Sequence, residues 1–237
     1  MKRITRIHTL TLAAAALLFV PTQPLYAQAV DAVGHYEGAI SSPAGDMPIQ
    51  IDFTKSADGA VVGTLTIPSQ KLKGFPLTNV SVKGKDVAFD IATSGGGFFR
   101  GEFEGNRISG EFSTQMGAFP LDLDRAGDAR TYALPPSARI GKELEGVWKG
   151  TLDVEGGMHL TVSLANHADG TSSGTLVSVD ENNLTVPVVI AQDGTSLTLT
   201  LPMIGSSYVG TVNAAGTEVI GTYTSSRGIA LPLTLKR

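Results

Sequence analysis

Ser196-Leu197-Thr198-Leu199-Thr200-Leu201 puts an apolar side chain at every second position, with small hydroxyl residues between them. Successive side chains of a β-strand point to opposite faces, so this segment reads as a strand with one buried and one wet face. The same period runs through Ile49, Ile51 and Phe53; Val87, Phe89 and Ile91; Leu160, Val162 and Leu164; and Leu231, Leu233 and Leu235. Turn signals such as Lys83-Gly84-Lys85, Ala168-Asp169-Gly170 and Gln192-Asp193-Gly194 interrupt it every 8 to 13 residues. Beyond the N-terminal leader, no stretch keeps helical periodicity for three turns.

Working outward, the pattern occurs twice. Gly34-His35-Tyr36-Glu37-Gly38 matches Gly146-Val147-Trp148-Lys149-Gly150, and Gly63-Thr64-Leu65 matches Gly174-Thr175-Leu176. Phe99-Arg100-Gly101 matches Tyr208-Val209-Gly210, and Gly110-Glu111-Phe112 matches Gly221-Thr222-Tyr223. Pro120 to Arg125 closes against Pro232 to Arg237, and the offset stays between 109 and 112 throughout. The chain therefore holds two copies of one module, Gly34 to Arg125 and Gly146 to Arg237, each of 92 residues. Residues 126–143, with Pro135-Pro136, read as a linker. The domain limits expected are 1–29 for a leader, 30–125 and 144–237 for the modules.

Eight short strands fit each copy. Joined by hairpins and apolar on one face, they close most simply as an all-β, eight-stranded antiparallel up-and-down barrel of the lipocalin or avidin kind, which leaves no free edge. Two-layer β-sandwiches are the alternative. An outer-membrane barrel calls for aromatic girdles and an apolar outer face. Here aromatics make up 6% of the chain and the outward positions are Thr, Ser and charges. The large rings Tyr36, Phe99, Phe112, Trp148, Tyr208 and Tyr223 each stand two residues from a glycine on the same strand face. A ring beside an absent side chain is a packing device of curved sheets.

The first residues have the zones of a secretory signal: Lys2, Arg3 and Arg6, an apolar run from about Leu10 to Val20, then Tyr26-Ala27-Gln28-Ala29 with small residues for cleavage after Ala27 or Ala29. The apolar run is too short to span a bilayer, so the mature chain is expected in the periplasm or outside the cell, with no membrane span. It has no cysteine, so burial and hydrogen bonding alone hold it. Removing three basic residues leaves 15 Lys and Arg against 22 Asp and Glu, a net charge near −7. An acidic surface with no basic stripe argues against nucleic acid as the partner.

No catalytic constellation stands out, and none calls for a metal or cofactor. Gly170-Thr171-Ser172-Ser173-Gly174 fits the nucleophile-elbow pattern. That motif works only between a strand and a helix of an α/β sheet, with a histidine downstream, and no histidine follows it here. His35, His159 and His167 lack metal-ligand spacing. Paired carboxylates such as Asp122 with Asp124 fall on outward strand positions and read as solvated. The candidate ligand-binding residues are the rings Tyr36, Trp148 and Tyr208, for which core packing is the competing role.

Leu144 to Leu152, Ile204 to Gly210, Gly221-Thr222-Tyr223 and Leu231 to Arg237 resemble the β-rich module found ahead of the catalytic domain in secreted bacterial α/β-hydrolases. The resemblance covers nearly all of the second copy. The hydrolase domain itself has no counterpart in this chain, so what the resemblance implies is a duplicated, exported accessory module. Gly146-Val147-Trp148 is also similar to the opening of lipocalins. Three functions follow as expectations: a non-catalytic interaction or accessory module of the cell envelope, binding an envelope component, polymer or partner protein; a lipocalin-like carrier of a small apolar ligand; or an accessory partner of a hydrolase encoded separately.

Overall fold

The computed structural model describes residues 31–42, 45–92, 96–181 and 183–237. The expected leader, residues 1–29, lies outside them. The protein is all-β and forms two antiparallel sheets of nine strands, one per copy.

The first copy contributes β1 (Gly34–Ser42), β2 (Gly45–Lys55), β3 (Val61–Ile67), β4 (Leu72–Pro76), β5 (Thr78–Lys83), β6 (Asp86–Asp90), β7 (Phe98–Glu104), β8 (Arg107–Thr114) and β9 (Gly117–Gly127). Their order in the sheet is β4-β3-β2-β1-β9-β8-β7-β6-β5. The two outermost strands are consecutive in the chain, joined at Leu77, whose N–H donates to the Gly63 carbonyl at 2.8 Å. The sheet thus bends round into a barrel. β4 and β5 are one strand of the expected eight, broken where Pro76 offers no N–H and Asn79 takes a left-handed backbone, φ 51°.

A short strand, β10 (Ser137–Ala138), lies in the connecting segment. The second copy then runs β11 (Gly146–Leu152), β12 (Met158–Asn166), β13 (Thr171–Ser178), β14 (Leu184–Asp193), β15 (Ser196–Leu201), β16 (Ser206–Val212), β17 (Glu218–Thr224) and β18 (Ala230–Lys236). Here β13 pairs directly with β14, so the eight strands of the repeat close without a break. That closure rules out the sandwich. The internal repeat extends to strand register. Thr64 faces Pro76 as Thr175 faces Pro187, Phe99 faces Phe112 as Tyr208 faces Tyr223, and Gly101 faces Gly110 as Gly210 faces Gly221.

Each barrel is filled by its inward side chains. The first core is aromatic: Tyr36 meets Phe53 and Phe103 edge-on at 5.8 and 6.2 Å, and Phe89 stacks on Phe99 at 4.9 Å. The second is aliphatic around Trp148 and Tyr208, with Val162, Leu199 and Leu201 fully buried. Each large side chain so buried contributes about 1.5–3 kcal/mol. The glycines opposite the rings supply the room. A Cβ on Gly101 would stand 2.6 Å from the Phe99 ring, and one on Gly210 would stand 2.5 Å from the Tyr208 hydroxyl.

The expected linker, residues 126–143, packs against both barrels. Its first part crosses the outside of the first barrel, where the Arg130 N–H donates to Asp52 at 2.7 Å and the Tyr132 ring covers Gly74. Its second part joins the other barrel, β10 pairing with β13 and a 3-10 turn at Lys142–Leu144 leading into β11. The barrels also touch directly, through a hydrogen bond from the Lys73 N–H to the Met203 carbonyl at 2.9 Å.

Candidate functional site

Of the three candidate rings, two close the same end of their barrels. Trp148 Nε1–H donates to the Leu144 carbonyl at 2.9 Å, and the Arg237 guanidinium lies over the indole, 4.6 Å from its centre. Arg237 also donates to the Glu143 and Glu145 carbonyls. In the first copy the Tyr36 hydroxyl donates to the Ala32 carbonyl at 3.2 Å, and Arg125 donates to the Val33 carbonyl. Trp148, Leu144, Glu145 and Arg237 stand 112 residues after Tyr36, Ala32, Val33 and Arg125, so these bonds are part of the repeat. Tyr208 lies deeper, donating to the Val219 and Leu233 carbonyls. All three are 1% exposed. Burial pushes the Tyr36 and Tyr208 phenols up. None of the three lines a cavity identified among the described residues.

The opposite end of the second barrel does hold a cavity, of about 520 Å³, between the β11–β12 and β17–β18 hairpins. Leu152, Val154, Met158, Tyr223, Ile229 and Leu231 line it, with Ser225, Ser226 and Arg227 at the rim. Burial raises the Tyr223 phenol, Ser206 lowers it by hydrogen bonding and Glu181 raises it through its charge. The volume falls within the range of small-molecule sites, and an apolar wall with a few polar groups is their usual make-up. The ring that the sequence places nearest this cavity is Tyr223, which was not among the candidates.

Polar clusters emerge that strand patterning does not reveal. His35 points outward from β1 and Asp52 outward from β2, yet both are 1% exposed. His35 Nδ1 sits 2.8 Å from Asp52 and Nε2 sits 3.0 Å from Glu37. The connecting segment covers them, with Arg130 N–H and the Tyr132 hydroxyl both on the Asp52 carboxylate. Val147 and Ser163 occupy the same places in the second copy. The cluster pins the covering segment to the first barrel, and buried carboxylates need such partners.

The serines of the elbow-like pattern face different neighbours. Ser172 Oγ donates to the Ala138 carbonyl at 2.7 Å, whereas Ser173 Oγ is 2.8 Å from His167 Nε2 on an exposed hairpin. Asp169 Oδ1 accepts from both the N–H and the hydroxyl of Thr171, and its carboxyl is lowered first by that hydroxyl's hydrogen bond and further by the charge of His167. His159 is exposed and bonded to Asp180. Among the described residues no group of His, Cys, Asp and Glu is placed to hold a metal ion, and no helix is long and apolar enough to cross a membrane.

No family model matches the chain, and no curated protein matches its sequence. Two solved structures align over most of it. One is a protein of unknown function from the DUF3598 family of Nostoc punctiforme, 16% identical, covering 86% of this chain and 94% of its own, with a TM-score of 0.26. The other is a candidate outer membrane protein of Bacteroides fragilis, 15% identical, covering 86% and 97%, with a TM-score of 0.27. At such scores the likeness carries no argument about function.

Proposed function

We propose that this protein is an exported, non-catalytic interaction module of the bacterial cell envelope. The observation that carries the reading is the filling of both barrels. Phe53, Phe89 and Phe99 in one, with Trp148, Tyr208 and Leu199 in the other, occupy the interior where a ligand would otherwise lie. Binding is left to the outer walls and the mouths. Ser172 is spent on the Ala138 carbonyl, and the Ser173–His167 pair lies on an exposed hairpin rather than in an enclosed cleft in which a nucleophile is activated. The resemblance of the second copy to modules of secreted hydrolases supports the same class, and makes a separately encoded hydrolase one kind of partner.

Cell fractionation with N-terminal sequencing, followed by pull-down from envelope fractions, tests the reading. A mature chain starting after Ala27 or Ala29, and saturable binding to a purified envelope polymer or protein, are expected. A cytoplasmic chain that keeps its leader, or turnover of short acyl esters lost in Ser173→Ala, refutes it.

The cavity at the mouth of the second barrel favours a second reading, a carrier of a small apolar molecule. Thermal shift with fatty acids of graded chain length separates the two, since a carrier gains stability as its ligand saturates.

A further inference from the structure

The two copies share a strand register and a filled interior, so they differ informatively where they need not agree, on the outer walls. On the first barrel the wall of β6 to β9 presents Asp86, Asp90, Arg100, Glu102, Glu111 and Asp122. Strand pairing places their counterparts on β15 to β18. Asp86 opposite Glu102 becomes Ser196 opposite Thr211, and Arg100 opposite Glu111 becomes Val209 opposite Thr222. Asp90 and Asp122 become Thr200 and Thr234. Each of these six charges has a neutral residue in its place, while Arg107 opposite Asp124 at the end of the wall becomes Glu218 opposite Lys236. What remains is a field of Ser and Thr around two exposed apolar side chains, Val209 at 50% and Ile220 at 60% exposure. The nearest strand charges, Glu218 and Lys236, pair with each other at 3.2 Å at the end of the wall.

We infer that this neutral wall of β15 to β18 is the surface through which two copies of the chain associate. The mature chain carries a net charge near −7, so two copies repel wherever charged faces meet. The neutral wall is a face on which identical molecules approach without like charges in contact. Depletion of charge with exposed aliphatic side chains at the centre is the composition of an interface core. One patch meeting itself gives a closed, two-fold pair.

The size of the wall sets the strength. Four strands about 4.8 Å apart and six or seven residues long span roughly 20 Å by 20 Å, or about 400 Å² per copy. A pair burying about 800 Å² lies below the standard interface size and belongs with weak, transient contacts, so the pair is expected to populate only as concentration is raised. Added salt tightens the pair, because it screens the net repulsion without weakening a neutral contact.

Sedimentation equilibrium of the mature chain from about 1 to about 500 µM follows that rise. The mean mass is expected to climb from one chain towards two. The decisive variant gives the second wall the first wall's carboxylates: Thr211→Glu, Thr222→Glu and Thr234→Asp together. The first barrel carries acids at the matching positions, so the fold tolerates them, and Trp148 emission checks this. Association should weaken by about tenfold or more. Ile220→Glu alone, at the most exposed apolar position, should act in the same direction. A wild-type chain that stays monomeric throughout overturns the inference, and so does a dimer that both variants leave intact. Saturable binding of a neutral polysaccharide to a monomeric chain would reassign the wall to that ligand. None of these outcomes bears on whether the leader is cleaved or an envelope partner is captured.

Discussion

Gly221 lies in β17 opposite Gly210, and its replacement by alanine tests how the second barrel makes room for its rings. A Cβ at Gly221 would press on the Val209 carbonyl oxygen and stand 2.5 Å from Gly210 Cα, both backbone atoms. No rotamer change relieves such a clash, so the two strands must separate. Overpacking of this kind costs about 1–3 kcal/mol, and the backbone contact puts it in the upper half. The loss of glycine's freedom in the unfolded chain returns about 0.4–1 kcal/mol. The net expectation is a destabilisation of about 1–2.6 kcal/mol. Trp148 is the only tryptophan and is buried in the second barrel, so its emission during urea unfolding reports on that barrel. With a slope near 1.5 kcal/mol per molar, the midpoint should fall by roughly 0.7–1.7 M. Gly210→Ala should cost less, because its Cβ would meet the Tyr208 ring and a Val219 methyl rather than backbone. Gly110→Ala, the counterpart in the first barrel, should leave the Trp148 transition in place. A Gly221→Ala protein with an unchanged or higher midpoint would refute the packing argument for the paired glycines.

Two further outcomes are expected. Burial raises the phenols of Tyr36, Tyr208 and Tyr223 above their ordinary value near 10. Such groups stabilise fully below that value, and the contribution is lost as pH rises beyond it because the unfolded chain ionises first. The melting temperature should hold from pH 7 to 9 and decline from about pH 10, more shallowly in Tyr208→Phe, as followed by calorimetry. Asp52→Ala removes the acceptor of the Arg130 N–H and leaves His35 buried with only Glu37. It should cost about 1–3 kcal/mol and expose the chain to trypsin after Arg130. Unchanged proteolysis would mean that the covering segment is held by other contacts.

The repeat, the barrel and the ring–glycine pairs were legible because each is a local or pairwise pattern. Alternation with period two, an offset near 112 and a glycine two residues from a ring survive in a linear string. The buried His35–Asp52 pair was not legible, because both side chains occupy outward strand positions that read as solvated. Their burial comes from residues 127–132 folding over that wall, a tertiary event with no signature in β1 or β2 themselves. The elbow pattern calls for a histidine after the serines, whereas the β12–β13 hairpin brings His167, which precedes them, to Ser173. The break between β4 and β5 had its cause in view, Pro76 and Asn79, but Pro187 sits unbroken inside β14. The residue alone does not decide; the neighbouring left-handed Asn does.

Because the two copies agree inside and disagree outside, they separate what the fold requires from what it permits. Both keep a ring bonded to the carbonyl four residues before it with an arginine on the adjoining backbone, the facing glycines and the filled interior, so these belong to stability. Charge on the walls is free to vary, and it has gone opposite ways: the first barrel wears carboxylates and folds its own connecting segment over part of its surface, while the second is stripped of charge along β15 to β18. Neither arrangement follows from the core. A neutral Ser and Thr wall gains the protein no internal contact, and it sacrifices the solubility that surface charge supplies. Within an acidic chain, such a face is accounted for by what it meets in solution, and the closed partner geometry of a second copy is the simplest surface of matching chemistry.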